Sequence, residues 1–256
     1  MERWRELEEL RKKMAAIPAR GTAAATRMPR AAESRHATLA VPPALAELLP
    51  DGGLAKGSVV AYAGARSLLA GLLAAATEDG GHAAVVGMPR FGLLAAVEMG
   101  AELARIAVIA DPGPDPVEIA SVLLDGLDLV VLGLGNRAVP PSRSRVIAAR
   151  ARTAGATLVV ADGHWPDPGL RLESRVCEYS GLGAGHGRLR SLSLDVGVRA
   201  RTGRQRRGRI DLCPNADRVE WVARGRAATE MHGRLAPEMR GRLAPEISAR
   251  ARDTAS

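Results

Sequence analysis

Aromatic side chains are nearly missing: three Trp, two Tyr and one Phe in 256 residues. Apolar residues still make up 46% of the chain, so a sizeable core is expected, built from Ala, Val, Leu and Ile. Long apolar runs are missing too. No stretch approaches the roughly 18–20 residues of a membrane-spanning helix, so no membrane association is expected. The opening Met1-Glu2-Arg3-Trp4-Arg5 lacks the apolar segment of a secretory leader, which makes cytoplasm the expected compartment. Cysteine is confined to Cys177 and Cys213, far apart and without a second Cys or His at ligand spacing. A disulfide framework and a metal site are therefore not expected, and buried thiols account for the pair. Lysine occurs only as Lys12, Lys13 and Lys56, so the net charge of +8 is almost wholly arginine. Two readings of that charge compete: a phosphate-binding surface, or arginines scattered over solvated faces by coding bias. Clustering is clear only near residues 199–209, where Arg199, Arg201, Arg204, Arg206, Arg207 and Arg209 are the candidate DNA contacts.

The apolar pattern divides the chain into three parts. Residues 1–38 comprise an amphipathic helix over Met1–Ile17, ended by Pro18, and an Ala/Arg/Ser/Thr linker. Trp4, Leu7, Leu10, Met14 and Ile17 recur at spacings of three and four; the first four are candidate partner contacts. Residues 39–214 form the core. Short apolar strands at Ser58–Tyr62, Ala83–Gly87, Ile106–Ala110, Leu129–Leu132 and Thr157–Ala161 alternate with helices at Ser67–Thr77, Phe91–Met99, Asp115–Leu124 and Ser142–Thr153. Runs this short and this apolar imply an α/β fold with a parallel sheet covered on both faces. After Pro168 the period changes to two, over Leu170–Tyr179, Leu189–Val198 and Arg209–Leu212. An antiparallel extension with one wet face is expected there. Residues 215–256 read as a tail of low order in which only Val219–Val222 looks structured. It carries Gly233-Arg-Leu-Ala-Pro-Glu238 and its copy Gly241-Arg-Leu-Ala-Pro-Glu246. Proline every eight residues defeats a continuous helix. The tail is either disordered or a docking segment that orders on binding, with Trp221, Leu235 and Leu243 as candidate partner contacts.

An open parallel sheet keeps its ligand site at the carboxyl ends of its strands, most often in the first strand–helix turn. A P-loop needs several backbone amides around the phosphates, a Lys, and a Ser or Thr for magnesium. The turn here is only Ala63-Gly64-Ala65-Arg66-Ser67. Arg66 and Ser67 are either a remnant anion contact or part of a tightened structural turn. The second strand runs into Gly87-Met88-Pro89-Arg90 without a carboxylate, and the fourth into Gly133-Leu-Gly-Asn136, with Asp128 at its wrong end. Asp162, His164 and Asp167 surround Trp165 after the fifth strand, and a polar loop explains them better than a catalytic group. The glycines of Gly181–Gly187 alternate and lead into a strand, so they fail the dinucleotide spacing and read as a hairpin loop. No catalytic residue, cofactor or metal is expected.

The order of these pieces resembles RecA. Gly52-Gly-Leu-Ala-Lys-Gly57 before Ser58–Tyr62 resembles the lead-in to the RecA P-loop strand. Gly100-Ala-Glu-Leu-Ala-Arg-Ile-Ala-Val-Ile109 and Leu127-Asp-Leu-Val-Val-Leu132 resemble its later strands. Against that family the first turn is about five residues short, the catalytic glutamate position falls at Pro89, and the magnesium aspartate position falls near Gly133. The two DNA-binding loops of RecA would correspond to Gly133–Pro141 and Asp162–Gly169, both cut down. Among RecA-like families the chain is most similar to the ImuA and ImuA-prime proteins of bacterial DNA-damage responses. That likeness rests on Leu45–Ala55, Asp111-Pro-Gly-Pro-Asp115 and Gly181–Arg190. The resemblance implies a non-catalytic accessory protein of translesion synthesis. It would partner an inactive Y-family polymerase homologue of the ImuB kind and, through it, an error-prone DNA polymerase and the sliding clamp, with DNA contacts weak. A SulA-like inhibitor of cell division, binding FtsZ, is the alternative from another functional class.

Overall fold

Five runs of four to six residues, almost all apolar, form the parallel strands of this protein; Ala83–Val86, Leu129–Gly133 and Thr157–Ala161 are buried throughout, whereas Ile106–Ile109 is only partly covered at the sheet edge. The computed structural model describes residues 37–183, 186–201 and 203–224. The helix expected over Met1–Ile17, its linker and both copies of the tail repeat lie outside them. A small antiparallel pair, β1 (Thr38–Leu39) with β2 (Leu54–Ala55), brackets a single-turn helix α1 (Pro43–Ala46). The parallel strands are β3 (Val59–Gly64), β4 (Ala83–Val86), β5 (Ile106–Ile109), β6 (Leu129–Gly133) and β7 (Thr157–Ala161). Between them run α2 (Arg66–Glu78), α3 (Leu93–Glu98), α4 (Pro116–Leu123) and α5 (Pro141–Ala154). Pro116 and Pro141 open α4 and α5, where a missing N–H costs nothing, and Asp115 caps α4 by accepting from the Glu118 amide. Gly155 closes α5 in the left-handed conformation.

β8 (Leu170–Gly183), β9 (His186–Ala200), β10 (Arg206–Asn215) and β11 (Arg218–Ala223) continue the same sheet. The full order is β5-β4-β6-β7-β3-β8-β9-β10-β11. β8 joins β3 in parallel, and the remaining three strands follow antiparallel. The first parallel strand thus lies inside the sheet between the fifth and the sixth, and the third is the free edge. This is a RecA-like α/β fold with an antiparallel C-terminal extension, as the sequence implied. Among the described residues no helix is long and apolar enough to cross a membrane.

Two apolar layers sandwich the sheet. On one face Val60, Tyr62, Val85, Val131, Val159, Leu172 and Val196 pack under α1 and α2. On the other, Val86, Val130, Leu132, Leu158 and Val160 pack under α4, α5 and Trp165. The helical cover on this second face stops at the parallel strands, which leaves Arg171, Arg175, Asp195, Arg199 and Arg209 on the open face of the extension. Both cysteines are half-buried free thiols, each pushed up from its usual range chiefly by burial.

The extension departs from expectation at its far edge. The core does not end at Pro214: β11 pairs with β10 from Asn215↔Arg218 to Ile210↔Ala223. Arg224 then donates to Asp211 and Glu178, both at 3.0 Å. Trp221 is correspondingly no anchor of a loose tail. Its ring lies against α2 so closely that a Cβ on Gly71 would sit 2.2 Å from Trp221 Cζ2.

Candidate functional site

The first strand–helix turn is short because β3 keeps its pairing with β8 as far as Gly64↔Ser174. Gly64 has φ +127°, and a Cβ there would lie 1.7 Å from the Ser174 carbonyl oxygen. Only glycine allows so close an approach. Three groups then close the turn in a ring. The Ala65 amide donates to Ser174 Oγ at 3.0 Å, Ser174 Oγ lies 2.6 Å from the Tyr62 hydroxyl, and Tyr62 donates to the Ala65 carbonyl. Each hydroxyl can give one proton and receive another, so donors and acceptors balance when Ser174 donates to Tyr62. Burial raises the Tyr62 pKa well above its ordinary value, which keeps the ring's proton in place. The amide that a phosphate would need is engaged with Ser174.

Arg66, the other feature of this turn, holds strand ends together. It donates to the Arg90 carbonyl at 2.9 Å and lies 3.7 Å from Asp162. Ser67 Oγ, beside it in the first turn of α2, is buried without a hydrogen-bond partner. At the position resembling the magnesium aspartate, a Cβ on Gly133 would stand 2.6 Å from Met88 Cγ and 2.8 Å from the Gly87 carbonyl oxygen. Met88 fills the space a carboxylate would need. Pro89 is exposed, and Asp128 receives the His82 amide at 3.0 Å, at the amino end of β6.

The two cut-down loops are sewn to each other. Leu134 N–H donates to the Ala161 carbonyl at 2.9 Å, Val139 N–H to His164 at 3.1 Å, and His164 N–H to Arg137 at 3.0 Å. Leu134, Val139 and Trp165 are buried beneath them. The polar residues around Trp165 diverge: Asp162 faces Arg66, Asp167 lies 3.9 Å from Arg201, and His164 is exposed. No cluster able to hold a metal ion occurs among the described residues. A hollow of about 610 Å³ between Val41, Pro43, Gly71, Ala75, Met99 and Trp221 lies along the far half of α2, away from the strand ends that would hold a nucleotide.

The arginine cluster maps onto the β9–β10 hairpin, at the amino end of the parallel strands and hence opposite the closed turn. Its members have different fates. Arg206 sits opposite Val198 on the helix-covered face and donates to the Leu49 carbonyl at 3.1 Å, so it is structural. Arg209 binds Asp195 at 3.0 Å, and Arg175 approaches the same carboxylate at 3.5 Å. The hydrogen bond from Arg209 is the main cause holding the Asp195 carboxyl below its usual range. The side chains of Arg199, Arg204 and Arg207 carry no ion pair or hydrogen bond among the described residues, and that of Arg201 has only the long contact to Asp167. Arg171 on β8 joins them, directly opposite Arg199. Sequence alone missed it, because strand register decides which residues face each other. Of the candidate partner contacts, Trp4, Leu7, Leu10, Met14, Leu235 and Leu243 lie outside the described residues.

The solved KaiC-like protein PH0186 from Pyrococcus horikoshii OT3 aligns with 74% of this chain and 99% of its own, at TM-score 0.48 and 13% identity. Residues 47–167 match the family model described as the MT3502 N-terminal domain. The uncharacterized protein Rv3395c of Mycobacterium tuberculosis (strain ATCC 25618 / H37Rv) is 51% identical over 164 residues, 60% of this chain and 80% of that protein. The chain belongs to the same family as Rv3395c.

Proposed function

We propose that this chain is a non-catalytic accessory protein of DNA-damage-induced translesion synthesis. It acts by contacts with an inactive Y-family polymerase homologue and, through that protein, with an error-prone DNA polymerase and the sliding clamp. DNA is touched weakly, through arginine. The observation that carries this reading is the closed first turn: a RecA-like sheet whose phosphate amide is engaged with Ser174 and tied to Tyr62. A sheet kept intact while its phosphate turn is closed suits a scaffold that presents surfaces to partners. The resemblance of Leu45–Ala55, Asp111–Asp115 and Gly181–Arg190 to ImuA-type proteins supplies the pathway.

The test is capture of purified full-length chain by the inactive polymerase homologue of the same genome. A second chain lacking residues 225–256 is run alongside; the cut follows Arg224 because Arg224 is anchored to Asp211 and Glu178. Saturable binding by the full chain is expected, weakened in the shortened chain while thermal melting of the core stays unchanged. Failure of the full chain to bind that homologue, together with inhibition of FtsZ polymerisation, would replace this reading with the cell-division one. Equal binding by both chains would remove the tail from the interface.

A further inference from the structure

On the open face of the extension, the carboxylates of Asp195 and Asp211 are matched across the strands. Asp195 on β9 stands opposite Arg175 of β8 and Arg209 of β10, and Asp211 is reached by Ser193 and Arg224. At the β8–β9 end the pattern inverts: Arg171 and Arg199 stand directly opposite each other. Like charges in that position destabilise a sheet unless something else neutralises them. Neither guanidinium has an ion pair or hydrogen bond among the described residues. Glu173, next along β8 on the same face, makes no ion pair with either. The two arginines and Arg201 line a hollow of about 290 Å³ with Asp167, Pro168 and Ala200. Its one carboxylate, Asp167, is 77% exposed and 3.9 Å from Arg201.

We propose that Arg171, Arg199 and Arg201 form a binding hollow for phosphate groups of a single-stranded nucleic-acid backbone. This deepens the weak DNA contact in the function proposed above and rests on that part of it. Directly opposed residues have Cα atoms about 5 Å apart, so both guanidinium groups reach one anion. A phosphodiester offers two free oxygens, one for each, and the planar fork of arginine suits them. Arg199 and Arg201 are two residues apart, about 6.8 Å along an extended chain. That is comparable to the phosphate repeat of an extended single strand. Arg204 and Arg207, exposed and unpaired among the described residues, continue the positive charge beyond the hollow, which suits a polyanion better than a small ion. No aromatic residue lines the hollow, so bases are not stacked there and binding is independent of sequence. The arrangement lies at the opposite end of the sheet from the closed turn, where the last residues of the Asp162–Gly169 loop lead into β8.

The experiment measures fluorescence anisotropy of labelled oligothymidylate with the full chain at low salt. Arg171→Ser with Arg199→Ser should weaken binding about tenfold and reduce the slope of log K against log salt by about 0.7, one phosphate's worth. Arg145→Ser, which removes one positive charge from an exposed part of α5, should change affinity less than about twofold, and each single variant, Arg171→Ser or Arg199→Ser, should change it more. Melting of the double variant should be unchanged or raised, because a repulsion has been removed; a structural role for the pair would lower it. Unlabelled oligonucleotide should displace the probe, whereas inorganic phosphate or polyglutamate at equal ionic strength should not. Parent-like affinity in the double variant, or displacement by polyglutamate as effective as by oligonucleotide, would overturn the proposal. Capture by the polymerase homologue is measured on the same variants. Lost oligonucleotide binding with intact capture supports the hollow and leaves the accessory reading standing; capture failing in the parent chain overturns only the latter.

Discussion

Gly64→Ala is expected to destabilise the protein by at least about 3 kcal/mol, a large share of the roughly 5–15 kcal/mol that holds a domain together. Two effects add. The backbone at Gly64 has φ +127°, which an L side chain adopts only under strain of about 1–3 kcal/mol. The new methyl would also lie 1.7 Å from the Ser174 carbonyl oxygen and 2.9 Å from the Ser174 amide nitrogen, so β3 and β8 must part. Parting them breaks the Gly64↔Ser174 pairing and the ring through Tyr62 and Ala65. Urea denaturation followed by circular dichroism measures the loss. A midpoint equal to that of the parent would mean the turn is not clamped as described.

Trp165→Ala should have an effect of similar size, about 3–5 kcal/mol, because a large side chain leaves a cavity that its surroundings only partly fill. Trp165 is 1% exposed and packs with Leu134, Val139, Leu132 and Val160 under the two shortened loops. Those loops are held to each other by main-chain hydrogen bonds through Arg137, Val139 and His164, so collapse into the cavity would strain them. His164→Ala, on the exposed side of the same segment, should change stability by less than about 0.5 kcal/mol. Calorimetric melting of the two variants separates the readings. Comparable small losses would mean that Trp165 is not the plug of this face.

The parallel half of the fold was legible in the sequence for a simple reason. Strands buried on both faces need uninterrupted apolar residues, and β7 over Thr157–Ala161 stands where its pattern placed it. The ends were less clear. β3 runs two residues beyond Tyr62 because Ala63 and Gly64 can still pair with β8, a fact that depends on Ser174 rather than on local pattern. β10 begins at Arg206, not Arg209, since charged residues at an exposed strand end carry no alternation. β11 was visible as a short apolar stretch but not as part of the sheet. The candidate site divides the same way. Loss of the P-loop residues could be read directly, because it concerns identity and spacing within one segment. The ring joining Tyr62 to Ser174, 112 residues away, could not. Nor could the opposition of Arg171 and Arg199, or the turning of Arg206 toward Leu49, since each is set by register between strands.

The most direct test of the central claim, that this RecA-like sheet works with its nucleotide turn closed, is titration of the unmodified chain with ATP and magnesium by calorimetry, with phosphate release followed in the same samples. No saturable binding into the millimolar range and no magnesium-dependent hydrolysis are expected, since the Ala65 amide is engaged by Ser174 and Met88 occupies the space beside Gly133. Micromolar affinity that Arg66→Ala abolishes would contradict it, and would mean that the turn opens around a phosphate after all.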